Sequence, residues 1–260
     1  MVNVKCILGT VVLSIFSVWT EAAVLRTPSP LHEWTETLEL SNLGRGHSGA
    51  FRRVRRNVPC SLKTSGKWPR SKDGNVYVPY FIDDNFSSEA KAAFVLGLVL
   101  FHLSTCIRFM VRTNELDYLL IQPSHRCRSF VGYQGGAQTV TLKFPDCFEI
   151  STIQHELLHA LGFHHEHNRW DRDRHIRVLW KNIRRRDKCE FKKRLTLNQG
   201  TPYDYDSVMH YSRLLGSKNG LPTMEAVEGR AEFGTATEMS QSDIERVNSV
   251  YCSNASPERL

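Results

Sequence analysis

The sequence predicts an α+β domain, a twisted sheet packed beside helices, on three observations. Short runs rich in β-branched and aromatic residues recur between residues 76 and 143, two stretches carry helical start signals, and the periodic pattern fades beyond Asp173 until about residue 240. In the first strand Val76, Val78 and Tyr80 alternate with Tyr77 and Pro79. Ser87 or Ser88 then caps a helix through about Leu103, with an expected apolar stripe of Ala92, Val95, Leu96, Val99 and Leu103. Residues 107–111, 118–121 and 138–143 follow as further strands. Ser151 is the expected cap of a second helix, and Gly162 stands where it should stop. Ser240-Gln241-Ser242-Asp243 opens a final short helix over residues 240–250. No internal repeat is visible.

The amino-terminal quarter reads differently. Lys5 precedes an apolar run over residues 7–19, and the small residues Ala22 and Ala23 follow, which predicts a signal peptide over 1–22. That run is shorter than the ~20 apolar residues a membrane span needs. The apolar stretch 92–103 is broken by Gly97 and His102 and reads as a core helix, so the mature product is expected to carry no membrane anchor. Residues 23–56 are thin in apolar side chains and end in Arg53-Val54-Arg55-Arg56, as a propeptide cut after Arg56 by a processing protease would. Residues 57–260 are then the remaining domain, secreted and extracellular, with Asn57 at its start.

Secretion permits disulfides. Once Cys6 leaves with the signal peptide, Cys60, Cys106, Cys127, Cys147, Cys189 and Cys252 form an even set, whose pairing the residues alone leave open, and no C-x-x-C pair suggests a cysteine zinc cluster. Asn85-Phe86-Ser87 and Asn254-Ala255-Ser256 are glycosylation sequons, the second weakened by Pro257. The net charge of +7 raises nucleic acid as a partner, but part of it lies in Arg52, Arg53, Arg55 and Arg56. One dense basic run, residues 181–194, is either a solvated face or a patch for an anionic partner, and the solvated face is favoured; no nucleic-acid partner is expected.

The chemistry lies in residues 155–166. On a helix His155 and His159, four apart, project from one face and can share a metal, and Glu156 can reach a water bound to it. Gly162 lets the backbone turn sharply, so that the chain returns His165 to the same point. Three protein nitrogens with a fourth position open are the pattern of catalytic zinc, one ion per chain.

At this point the sequence resembles a known family. Residues 155–165 match the H-E-x-x-H-x-x-G-x-x-H signature of the metzincin proteases, and Ser207-Val208-Met209-His210-Tyr211 resembles their methionine turn. Glu166 followed by Arg169-Trp170-Asp171-Arg172-Asp173 is similar to the astacin branch. Residues 75–80, 105–109 and 201–205 are most similar to the hatching-enzyme-like astacins of fishes. The resemblance implies a mostly parallel sheet with two long helices in the amino-terminal half, an active-site cleft, and an irregular carboxy-terminal half. It implies a zinc endopeptidase acting on protein and peptide substrates such as egg-envelope or matrix proteins. Glu156 would be the general base and then acid, Tyr211 a movable partner of the oxyanion, Met209 the floor beneath the metal, and Glu166 a buried partner of the Asn57 amino group.

By the same resemblance Cys106 pairs with Cys252 and Cys127 with Cys147. Cys60 and Cys189 depart from the family pattern: relatives carry a second cysteine near where Gly66 stands here, so Cys60 pairs with Cys189 or either of them is free. The Phe-x-Gly-Asp segment of astacin propeptides is also missing before Asn57, leaving His47 as a candidate blocking group. The rival readings are a binding protein on a protease scaffold, which the presence of Glu156 and Tyr211 disfavours, and a basic polyanion-binding protein. His102, His125, His175 and His210 read as structural, and His164 and His167 as exposed or locally hydrogen-bonded.

Overall fold

Five strands build the main sheet: β1 (Val76–Ile82), β2 (Ile107–Val111), β3 (Tyr118–Pro123), β4 (Arg128–Ser129) and β5 (Ala137–Leu142), in the order β2-β1-β3-β5-β4. The computed structural model describes residues 66–229 and 231–253. The expected signal peptide, propeptide, processing point at Arg56, Asn57, Cys60 and the sequon at Asn254 lie outside the described residues. Neighbours run parallel except β4, which pairs antiparallel with the end of β5. Parallel neighbours need a crossover, and between β1 and β2 it is the helix α1 (Ser88–Ser104). Val76 and Val78, Leu119 and Ile121, and Val140 and Leu142 are wholly buried at every second position, the period of a pleated strand.

Ser87 caps α1 by accepting the Ala90 N–H at 3.2 Å. The buried face is not the expected one. Ala90, Phe94, Gly97, Leu98 and Phe101 point inward, while Ala92, Val95, Leu96 and Leu103 are exposed or partly so and Val99 is half-buried. The helix is apolar around much of its circumference, so its sequence marks no single stripe. Close approach decides instead: a Cβ on Gly97 would lie 2.5 Å from Ile153 Cγ2, so the glycine face is the one that fits against α2 (Ile150–Ala160).

The second helix also starts earlier than expected. Its cap is Glu149, without a side-chain bond, and Ser151 lies within the first turn. The Cys127–Cys147 disulfide fixes the chain two residues before that cap, so a covalent anchor stands in for a capping side chain. Beyond α2 the chain is mostly irregular. A short antiparallel pair, β6 (Ile176–Val178) and β7 (Met224–Ala226), and a second core of Ile176, Ile183, Phe191, Tyr203, Met224 and Phe233 organise it. The final helix α3 (Gln241–Val247) opens on Ser240 with a capping box through Asp243 and continues as a π-helical turn, Asn248–Cys252. The Cys106–Cys252 disulfide ties that turn to the start of β2. Among the described residues no helix is long and apolar enough to cross a membrane.

Candidate metal centre

Helix α2 ends because Gly162 takes φ +103°, a value side-chain-bearing residues avoid. Gly162 N then donates to His159 O at 2.8 Å and Phe163 N to Leu158 O at 3.0 Å, a Schellman closure. The other late carbonyls find distant donors: Ala160 O accepts from Trp68 Nε1 at 3.0 Å, and Leu161 O from the Tyr251 hydroxyl at 2.6 Å. With no carbonyl of the last turn left orphaned, the helix end is a rigid platform and the chain reverses directly into residues 163–165.

That reversal brings three imidazoles together. His165 Nε2 lies 3.2 Å from His155 Nε2 and 3.0 Å from His159 Nε2. The opposite ring nitrogens are engaged: His155 Nδ1 donates to Val208 O at 2.7 Å, and His159 Nδ1 to Phe163 O at 2.8 Å. These carbonyls fix the tautomer with the proton on Nδ1, so the Nε2 lone pairs of both rings face the third. Burial, and for His159 and His165 also repulsion among the rings, holds all three below the usual imidazole range. Three neutral imidazoles with converging lone pairs suit a cation between them, and nitrogen donors of this kind suit zinc.

Glu156 is buried on the same helix, and its Oε2 has no hydrogen-bond partner. Burial pushes its carboxyl up to about 8, against the opposing pull of Arg128 and a backbone hydrogen bond from Ser129. A buried carboxyl with an oxygen that no other group holds is equipped to take and return a proton. Tyr211 packs its ring 4.3 Å from that of His165 and 4.1 Å from that of His167. Burial raises its phenol above the ordinary value, so it stays a hydroxyl donor.

The segment Ser207–Tyr211 is held beneath this cluster by α3. The Asp243 carboxylate accepts from Ser207 Oγ at 2.7 Å and from Val208 N at 3.0 Å, so the residue that closes the capping box also fixes the turn. Met209 is buried, and its carbonyl accepts from Glu166 N at 2.9 Å, next to the third histidine. Glu166 is buried too. It takes Arg246 at 2.7 and 3.0 Å, Arg169 at 3.0 Å and the Asp204 N–H at 2.8 Å. Asn57, its expected partner, lies outside the described residues.

His167 is fully buried rather than exposed. Its Nε2 donates to Glu190 O at 3.0 Å, its ring lies against Tyr211 and His165, and its Nδ1 has no partner. Its position two residues past the third histidine is the only mark the sequence offers of this role. Arg246 and the carbonyls of Val208 and Phe163 carry no mark at all. The bridges Cys106–Cys252 and Cys127–Cys147 are present; Cys189 is in neither, and Cys60 lies outside the described residues. Asn85 is exposed, with its side-chain amide bonded to Asp83.

Comparison with known proteins agrees with this geometry. The family model described as Astacin, a peptidase family, matches residues 63–252. The low choriolytic enzyme of Oryzias latipes is 44% identical over 188 residues, covering 72% of this chain and 69% of that one. Zinc metalloproteinase nas-7 of Caenorhabditis elegans is 41% identical over 188 residues, 71% of this chain and 48% of its own, so the match spans about half of the nematode protein. Among solved structures, high choriolytic enzyme 1, a hatching-enzyme zinc protease of Oryzias latipes, superposes with a TM-score of 0.70 at 37% identity, over 71% of this chain and 94% of that one.

Proposed function

The chain belongs to the astacin family of peptidases and is thereby a zinc metalloendopeptidase, and from that premise we propose that it is secreted as a precursor, activated by removal of residues 23–56, and digests extracellular proteins. Egg-envelope proteins are the first candidates, because the medaka relatives are named choriolytic and hatching enzymes; matrix proteins are the second. The observation that carries the reading is the convergence of the His155, His159 and His165 Nε2 atoms beside a buried Glu156 whose Oε2 has no partner.

In this reading the three histidines hold one zinc ion. When bound, zinc lowers the pKa of its water toward ~7 and polarises the scissile carbonyl. Glu156 would receive the proton of the attacking water and deliver it to the leaving amine, its unpartnered Oε2 free to carry that proton between the two. Tyr211, kept protonated by burial, donates its hydroxyl to the developing oxyanion. Val208 and Phe163 hold two of the rings by their Nδ1 protons, and Met209 supports the cluster from below.

The test is to express and activate the precursor, sequence its new amino terminus, and profile cleavage of a peptide library with and without a zinc chelator. The expected result is Asn57 at the amino terminus and endoproteolysis that stops on chelation and returns with zinc. Cleavage indifferent to chelation would end the reading.

A further inference from the structure

A protease takes its substrate as an extended strand whose backbone groups are free to pair with the cleft, so a folded chain is cut where such a strand already stands in solvent. Residues 193–198 belong to no helix, strand or turn, and within them Leu195 is 100% and Leu197 85% exposed. Among the described residues no hydrogen bond reaches the Arg194 carbonyl or the backbone N–H and C=O groups of Leu195, Thr196 and Leu197. The peptide unit between Arg194 and Leu195 is therefore unpaired on both sides.

Both flanks of this open bond are held. Upstream, Phe191 is wholly buried, the Asn168 amide donates to Glu190 O at 2.7 Å and to Lys192 O at 3.0 Å, and Arg194 N donates to Asn168 O at 2.7 Å. Downstream, Gln199 and Gly200 make a turn with φ +50° and +74°. Beyond it the Thr201 N–H and hydroxyl donate to Asn198 O at 2.9 and 2.8 Å, while Thr201 O and Pro202 O accept from Arg169 at 3.3 and 2.7 Å. Arg246 Nε donates to Thr201 Oγ1 at 2.7 Å.

The side chains at the open bond select the protease. Lys192, Lys193 and Arg194 are consecutive, and trypsin-like serine proteases seat a basic side chain on an aspartate before cutting the bond that follows it. Of the three bonds, only the one after Arg194 is unprotected: Lys192 O and Arg194 N, which belong to the other two, are both tied to Asn168. The exposed Arg185, Arg186 and Lys188 lie in successive turns closed by Asp187 N on Arg184 O and Glu190 N on Asp187 O, which must open before a protease can enter.

We propose that the Arg194–Leu195 bond is a processing site for a trypsin-like serine protease, and that the cut yields a two-chain form that keeps its metal centre. Water adds across the peptide bond, leaving a carboxylate on Arg194 and an amine on Leu195. Cys106 lies before the cut and Cys252 after it, so their disulfide joins the products. The anchors of the two flanks reach Asn168, Arg169 and Arg246 without passing through the cut bond, so the chain beyond His165 keeps its supports.

The test digests the activated chain with dilute trypsin and follows it on gels with and without reductant. The expected result is one early cut with Leu195-Thr196-Leu197 as the new amino terminus, two fragments under reduction and a single band without it. Zinc by atomic absorption should be the same before and after cutting. Arg194→Gln removes the side chain that trypsin seats. Leu195→Pro leaves Arg194 in place but puts a ring on the leaving nitrogen, at an N–H that has no partner to lose. Each variant should abolish this cut. No cut at all, an early cut elsewhere, a cut after residue 194 that persists in either variant, or fragments that part without reductant overturns the inference. Zinc lost on cutting overturns it as well. If the intact chain holds no zinc yet is still cut after Arg194, the processing site stands and the zinc peptidase reading falls.

Discussion

Glu156 and Tyr211 do different work beside the histidines, and single substitutions should separate them. Glu156→Gln keeps the shape and removes the proton acceptor, so kcat is expected to drop by roughly 10²–10⁴ while zinc content by atomic absorption stays at the wild-type level. Near-normal turnover would strip Glu156 of its role. Tyr211→Phe keeps the ring between His165 and His167 and removes only the hydroxyl, so kcat should fall about 10²-fold with KM little changed. A change in KM alone would mean that the hydroxyl serves substrate binding. His210 offers a test in stability. The Tyr203 hydroxyl donates to its Nε2 and its Nδ1 donates to Tyr211 O, while burial pushes its pKa from 6.5 down to about 4. A depressed base is stabilising where both states are neutral. Below pH 6.5 the unfolded chain takes up a proton that the native one refuses, so stability falls toward pH 4 by up to about 3 kcal/mol. His210→Gln should flatten that slope by about one proton in urea melts at several pH values; an unchanged slope would clear His210. At this scale the site was legible wherever partners are near in sequence. His155, Glu156, His159 and His165 lie within eleven positions of one another, so helix geometry and one glycine bring them together. The His155 partner Val208 is 53 residues away, and nothing local marks a backbone carbonyl.

Helix α1 shows why an element can be placed correctly and faced wrongly. Its start at Ser87 and its length follow from local capping and composition, which depend on neighbours in sequence. Its orientation depends on what it packs against, and a run with apolar residues on both faces leaves that choice to tertiary contact. Gly97 decides it by letting α1 lie against Ile153 of the helix that carries His155, Glu156 and His159. Gly97→Ala places a methyl 2.5 Å from Ile153 Cγ2 and 2.9 Å from its Cβ. The β-branch is stiff and cannot swing clear, so the helices must part, at a cost of about 1–3 kcal/mol. Calorimetry should find a lower Tm for Gly97→Ala. Ile153→Ala should recover part of the loss when combined with it, so that the double variant is less destabilised than the two singles summed. Strict additivity would mean that the two residues do not meet.

Across the whole molecule the carboxy-terminal helix joins the two halves, and it does so through side chains as well as through sulfur. Asp243 fixes the turn whose Val208 carbonyl orients His155, and Arg246 grips Glu166, the residue next to His165, in a pair buried on both sides. A buried carboxylate relies on such partners, since removing one leaves an uncompensated charge. The Cys106–Cys252 bridge closes a span of 146 residues and anchors the turn that follows this helix. Replacing both cysteines by Ser should cost about 2–5 kcal/mol of stability through the freedom returned to the unfolded chain. The loss should also reach the metal. With the helix end released, Arg246 and Asp243 lose part of their hold on Glu166 and Val208, and the three imidazoles lose part of their alignment. The double variant is therefore expected to release zinc at lower chelator concentration than the wild type, even at temperatures well below its melting point. Removing Cys127–Cys147, which closes a span of only 20 residues ahead of α2, should lower Tm less. If the Cys106–Cys252 variant melted earlier but bound zinc as tightly as the wild type, the coupling between the carboxy-terminal helix and the metal centre would be refuted, and the bridge would act on the unfolded chain alone.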